Sequence, residues 1–290
     1  MARALARLKE NVPGEFFVDD ACIDCDTCRI LAPDVFARSN LVGMSFVGTQ
    51  PNSAAQVLRA KMALVACPTS AIGTENKVDV AAAVAAFPER ITDDVLYCGF
   101  ASKDSYGASS YMIVREGGNV LVDSPRAARR LMDRIASLGG VRTMFLSHRD
   151  DVADHEQYAR RFGCERVLSR ADAGPGTRAV ERLIESDDPT CLAPDLLVIP
   201  VPGHTRGSLV LLYRREFLFT GDHLWATEDG ERLQASRSVC WYSWDSQIRS
   251  VEKLLQFDFQ WVLPGHGRRL QAPAPIMRQK LLDLLARMKR

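Results

Sequence analysis

No stretch of this 290-residue chain stays apolar for anything near the roughly 20 residues that cross a bilayer, so no helical membrane span is expected. Charge of one sign is missing too: 37 basic against 36 acidic residues leave a net charge of +1, which gives no general attraction to nucleic acid or to a membrane surface. The opening Met-Ala-Arg-Ala-Leu-Ala-Arg-Leu-Lys stretch has basic residues interrupting its apolar ones and lacks the continuous apolar region of a secretory signal. It reads as a short helical arm, and as a poor match to an organellar presequence. There is no internal repeat and no low-complexity segment. Histidine is scarce, five residues with none before His148, so any imidazole chemistry belongs to the second half. What is present, 47% hydrophobic and 25% charged residues, is ordinary for a globular cytoplasmic protein, and the length suggests about two domains.

Cysteine is the exception to this plainness. A disulfide framework is not expected, because a chain of this length buries a core without staples and shows no export signal. Instead Cys22-Ile-Asp-Cys25-Asp-Thr-Cys28 sets three thiolates at intervals of three, and Cys67-Pro68 supplies a remote fourth. Three closely spaced thiolates can wrap one face of a cubane while the fourth closes it, so these four residues are expected to hold a [4Fe–4S] cluster. A zinc knot is the alternative, but zinc prefers paired Cys-x2-Cys hooks facing a second pair or histidines, and none lies near Cys67. Phe17-Val-Asp-Asp-Ala21 before the run, Leu31-Ala-Pro-Asp-Val-Phe36 after it and Ala66-Cys-Pro-Thr-Ser-Ala-Ile72 resemble single-cluster bacterial ferredoxins over residues 14–80. Cys25 supplies the middle thiolate whose replacement in such ferredoxins accompanies three-iron clusters. Cys98, Cys164, Cys191 and Cys240 are expected to be buried small hydrophobes. The acidic set Glu15, Asp19, Asp20, Asp24 and Asp26 near the cluster loop suggests an electron-transfer partner with a basic face.

An alanine-rich helix over residues 80–87, ended by Pro88, separates a domain of residues 1–92 from one of residues 93–290. The second alternates short strands (110–114, 119–123, 142–146, 196–201, 208–213 and 216–220) with helices (125–138, 154–162, 244–255 and 276–288). Such alternation implies sheets covered by helices, and the last helix is amphipathic in the manner of a sheet cover.

Polar motifs follow the strands: His148-Arg-Asp-Asp-Val-Ala-Asp-His155, Pro202-Gly-His-Thr-Arg-Gly-Ser208, Thr220-Gly-Asp-His223 and Leu263-Pro-Gly-His-Gly267. Their order over residues 95–270 resembles the metallo-β-lactamase superfamily, an αββα sandwich with a one- or two-metal site, here preceded by the small α+β ferredoxin-like domain. That resemblance implies His148 and His204 on one metal, Asp154, His155 and His266 on the other, and Asp222 bridging both. The family's His-x-His-x-Asp-His motif is altered: two extra residues intervene, and Asp150 stands at the spacing of the second histidine with Asp151 beside it. Asp150 is therefore a candidate ligand or, alternatively, a cap of the following helix. His223, directly after Asp222 in an extended segment, should face the other way and take a hydrogen-bonding role, although it, Asp150 and Asp151 all remain candidates to complete the first metal's set.

Two chemistries are open to such a site. In a hydrolase of an ester, thioester or lactone, one or two divalent ions (zinc, iron or manganese) acidify a water that Asp154 orients, and the cluster is structural or sensory. In the alternative, a diiron oxidoreductase resembling flavodiiron proteins reduces a small oxidant with electrons from the cluster, and Asp150 supplies the harder oxygen donor that suits iron. Either way the partner is a small-molecule substrate.

Overall fold

The computed structural model describes residues 2–290, which form two compact units: the chain to Val141 together with Ala153–Phe162, and Arg142–Val152 together with Gly163–Arg290. Among the described residues no helix is long and apolar enough to cross a membrane.

In the first unit the strand Phe16–Val18 pairs antiparallel with Ile72–Thr74, and the hairpin Phe36–Arg38 and Ser45–Val47 lies within the same segment. The helix Ala54–Ala66 starts where the Ser53 hydroxyl accepts the Gln56 amide, and Pro68 follows shortly after its end at Cys67. Its buried face, Ala60, Met62, Ala63 and Ala66, consists mostly of alanines, so neighbouring backbone can approach closely. The Ala101 amide reaches the Ala66 carbonyl (3.1 Å), and the Arg126 guanidinium reaches that of Val65 (3.0 Å). An antiparallel ladder continues the unit in the order Glu89–Arg90, Val95–Tyr97, Tyr111–Ile113, Val120–Val122, and the helices Arg129–Ser137 and His155–Phe162 complete it.

The N-terminal arm holds only a single 3-10 turn, Ala4–Ala6, because Leu5 is fully exposed and no apolar face is buried to sustain a longer helix.

In the second unit Thr143–Phe145, Glu165–Ser169 and Arg182–Ile184 run parallel. A six-stranded sheet has the order Thr190–Ala193, Leu196–Pro200, Leu209–Tyr213, Phe217–Gly221, Trp261–Pro264, Leu270–Gln271. Leu209–Tyr213 and Phe217–Gly221 are buried at every position, which explains their nearly continuous apolar sequence. Phe217–Gly221 and Trp261–Pro264 pair in parallel, so the chain must cross over between them, and the helix Trp244–Leu254 lies in that crossover. It joins Ala274–Met288 over one core containing Val251, Leu254, Phe259, Met277, Leu281 and Leu284. The parallel register also brings two of the polar motifs together: Gly221 lies opposite Pro264, so the loops carrying Asp222 and His266 leave the sheet side by side.

Candidate metal centre and cluster pocket

Each histidine of the second unit is delivered by a strand end. Ser147 follows the strand Thr143–Phe145, and its carbonyl accepts the Leu209 amide (2.8 Å) while its hydroxyl contacts Nδ1 of His148 (2.9 Å). Gly221 lies against it with φ +49°, where a Cβ would come within 2.5 Å of the Ser147 hydroxyl, so this crossing requires glycine. The turn after Leu196–Pro200 presents His204, whose Nδ1–H donates to the Val239 carbonyl (2.5 Å) and leaves Nε2 as the outward nitrogen. Asp222 and His266 meet as the register requires, with Nδ1 of His266 at 2.8 and 2.9 Å from the two carboxylate oxygens.

These side chains converge. Nε2 of His148 lies 3.9 Å from Asp150 and 3.8 Å from Asp222, Nε2 of His204 lies 3.6 Å and 3.8 Å from the same carboxylates, and the two imidazoles meet edge to face. Both Nε2 atoms are buried without a hydrogen-bond partner among the described residues, the condition of an imidazole whose lone pair awaits a cation. One donor atom each from His148, Asp150 and His204 falls within 4.8 Å of the others, as does a second set from His148, Asp151 and Asp222. The donors are nitrogen and oxygen, which suits zinc, iron or manganese. The residues therefore fit the metal that the motifs imply.

The electrostatics agree. Burial lowers His148 to about 4, keeping it neutral at pH 7. Burial also opposes protonation of His204, but Asp150 and Asp222 outweigh it and raise that pKa. For Asp222, burial opposes the charge, yet His266 first and then His148 and His204 hold its pKa well below the carboxylate range. Asp150, half-exposed, is lowered mainly by His204.

His223 is buried, and burial lowers it to about 3. Its ring nitrogens find no well-formed hydrogen bond, and its polar neighbour is Gln247. Asp154 precedes the helix His155–Phe162 in the first unit, where one oxygen accepts the Ala127 amide (2.7 Å) and the other the Gln157 side chain (2.6 Å); His155 is buried.

Asp151, which the sequence leaves open beside Asp150 and His223 as the residue completing the first metal's set, is buried with an oxygen 4.0 Å from Nδ1 of His148. One carboxylate of the second unit was not singled out by sequence. Asp172 is buried and accepts from the Arg149 amide (3.1 Å), the Thr205 hydroxyl (2.6 Å) and the Gly207 amide (2.8 Å), tying the His148 loop to the His204 loop. No motif marks it; only its partners reveal its role.

In the first unit Cys22, Cys25, Cys28 and Cys67 line one pocket with Val18, Pro68 and Ile72. Asp24 and Asp26 adopt left-handed φ of +57° and +68°, which coil the loop so that three sulfurs face inward. The Ala71 amide lies 3.3 Å from the Cys67 sulfur, and burial raises the Cys25 thiol to about 11. Buried thiols without a cation resist ionisation; a cluster would supply the positive charge they lack, so the donor set fits one. Gly107 (φ +87°) closes the pocket: a Cβ there would meet Cys25 at 2.5 Å, and its carbonyl accepts the Thr27 hydroxyl (3.2 Å).

The nearby acidic residues are engaged internally. Asp24 pairs with Arg29 and Arg38, Asp26 with Arg29, Asp19 and Asp20 with Arg3, and Glu15 binds Asn76. The loop is therefore less electronegative than its composition suggests.

Two of the remaining cysteines depart from expectation. Cys98 and Cys164 are buried, but Cys191 is exposed on the edge strand of its sheet and Cys240 is half-buried, its thiol donating to the Gly203 carbonyl (3.1 Å).

Residues 18–74 match a family model described as the 4Fe-4S single cluster domain of Ferredoxin I. Among solved structures, the chain resembles the DIM-1 metallo-β-lactamase (14% identity, 69% of this chain and 96% of the other, TM-score 0.53). It likewise resembles a metallo-β-lactamase from Pontibacter korlensis (17%, 69% and 97%, 0.52) and the BLEG-1 B3 metallo-β-lactamase (15%, 68% and 100%, 0.53). No curated protein matches. The chain thus joins a metallo-β-lactamase fold to an N-terminal ferredoxin-like [4Fe–4S] domain.

Proposed function

We propose that this protein is a metal-dependent hydrolase acting on an ester, thioester or lactone, with a [4Fe–4S] cluster in its N-terminal domain. The observation that carries the reading is the pair of buried, unpartnered Nε2 atoms of His148 and His204 facing Asp150 and Asp222. Bound divalent ions would supply Lewis acidity and an acidified water there. The chain's own part is to hold charge and geometry. Val239 fixes the His204 tautomer, Ser147 contacts Nδ1 of His148, and His266 keeps Asp222 ionised. Asp150 is the donor of this set that stays half in solvent. Asp154 and His155 retain the assignments that the sequence resemblance gives them, Asp154 as the residue that orients the water.

A second reading, a diiron oxidoreductase fed by the cluster, is favoured by Asp150, whose oxygen stands close to both imidazoles as a hard donor.

The test uses full-length protein purified without oxygen. Its iron, sulfide and zinc are measured, and a series of aryl esters, thioesters and lactones is assayed with wild type and with Cys67→Ser. Hydrolysis predicts turnover unchanged within about twofold in Cys67→Ser, since the reaction needs no electron. The hydrolase reading is overturned if metal-replete protein is inert toward every ester class while the reduced protein consumes oxygen or nitric oxide.

A further inference from the structure

The segment 239–242, just before the helix Trp244–Leu254, is sewn onto the loop that carries His204. Val239 accepts from His204 Nδ1, the Cys240 thiol donates to the Gly203 carbonyl, the Trp241 amide donates to the His204 carbonyl (2.9 Å), and the Tyr242 amide is shared between the Gly203 and His204 carbonyls. A segment fastened this often could bury its large side chains, yet it displays two aromatic rings in succession, Trp241 61% and Tyr242 51% exposed. The Trp241 ring centroid lies 6.1 Å from that of His204, tilted by 56°. Tyr242 lines an open, mainly polar cleft of about 810 Å³ that begins on the same loop, and Arg206 on its wall has no ion-pair partner among the described residues. Lone exposed apolar residues need no explanation, but a tryptophan fixed by its own backbone against a candidate metal ligand is placed rather than stranded.

We infer that Trp241 is a specificity-determining residue: it forms a flat apolar wall beside the metal centre and selects substrates with an aryl or similarly planar apolar group next to the reacting carbonyl. The polar cleft beyond Tyr242 then receives the remainder of such a substrate. This inference rests on the proposed metal centre and adds the class of molecule accepted there. A planar group lying on the indole excludes water from one side of the centre and gains stacking that a short alkyl group cannot make.

Equilibrium binding to the zinc-loaded full chain tests it, with phenylacetate and acetate as probes. Wild type should bind phenylacetate about tenfold more tightly than acetate, Trp241→Phe should keep most of that preference, and Trp241→Ala should lose it with metal content and acetate affinity unchanged. If the alanine variant loses metal, the indole emission that phenylacetate quenches in wild type but not in Trp241→Phe, whose other three tryptophans remain, decides the matter. Equal binding of the two probes by wild type, a preference untouched in a metal-replete Trp241→Ala, or no quenching assignable to Trp241 overturns the inference. If neither probe binds, the metal-centre reading falls first, and the inference falls with it.

Discussion

Asp222 links three of the four histidines of the second unit, hydrogen-bonding His266 and lying 3.8 Å from both His148 and His204. Asp222→Ala should lower zinc or iron affinity in the metal centre by about 100-fold while leaving four iron and four sulfide in the N-terminal domain, read by metal analysis and the visible absorption of the cluster. Unchanged occupancy would remove Asp222 from the ligand set. Asp172 should act without touching metal. Replacing it with alanine strands two amides and a hydroxyl, so a loss of about 3 kcal/mol in unfolding free energy is expected, with metal affinity falling as the two loops separate. Asp172→Asn, which keeps the acceptor oxygen, should recover part of both. Away from the centre, Glu181 takes bonds from the amide and the guanidinium of buried Arg166, which lower its pKa from 4.5 to about 2. Because the folded value lies below the unfolded one, this contribution is complete above pH about 4.5 and is lost as pH falls towards about 2. Glu181→Gln should therefore lower the melting temperature most at pH 7, where that contribution is complete, and flatten its pH dependence across the acid window.

At the scale of elements, the loop carrying Tyr106 and Gly107 closes the cysteine pocket from outside the segment that matches the ferredoxin family. Gly107→Ala combines a left-handed φ with a collision against Cys25, so the cluster should bleach faster in air than in wild type, with the metal centre unaffected. Equal bleaching rates would show that the loop yields without cost. The strands were legible where pattern was strong: 208–213 and 216–220 fall on Leu209–Tyr213 and Phe217–Gly221, and the expected helix 244–255 on Trp244–Leu254. The edge strand Thr190–Ala193 and the two-residue pairs were not, since a strand with one neighbour and mixed exposure carries no continuous apolar run. The expected helix 125–138 begins only at Arg129, because 125–128 runs extended to meet Asp154 and the Val65 carbonyl. Motif residues were readable because glycine-framed histidines repeat. Asp172 and Trp241 were not, because their meaning comes from loops distant in sequence.

For the whole molecule, two groups with separate ligands predict separable losses. Cys67→Ser should remove or convert the cluster and leave zinc binding by the second unit intact. Fresh protein containing zinc and no acid-labile sulfide would instead refute the cluster. The parallel pairing of Phe217–Gly221 with Trp261–Pro264 has a kinetic consequence. Asp222 and His266 stand 44 residues apart in sequence, so their contact is high in contact order and forms only after the crossover helix has docked. The full donor set is thus a late product of folding, absent from the transition state for any earlier step. Added zinc should leave the refolding rate unchanged and slow unfolding instead, so that metal acts on this chain as a lock on the finished structure rather than a template for building it.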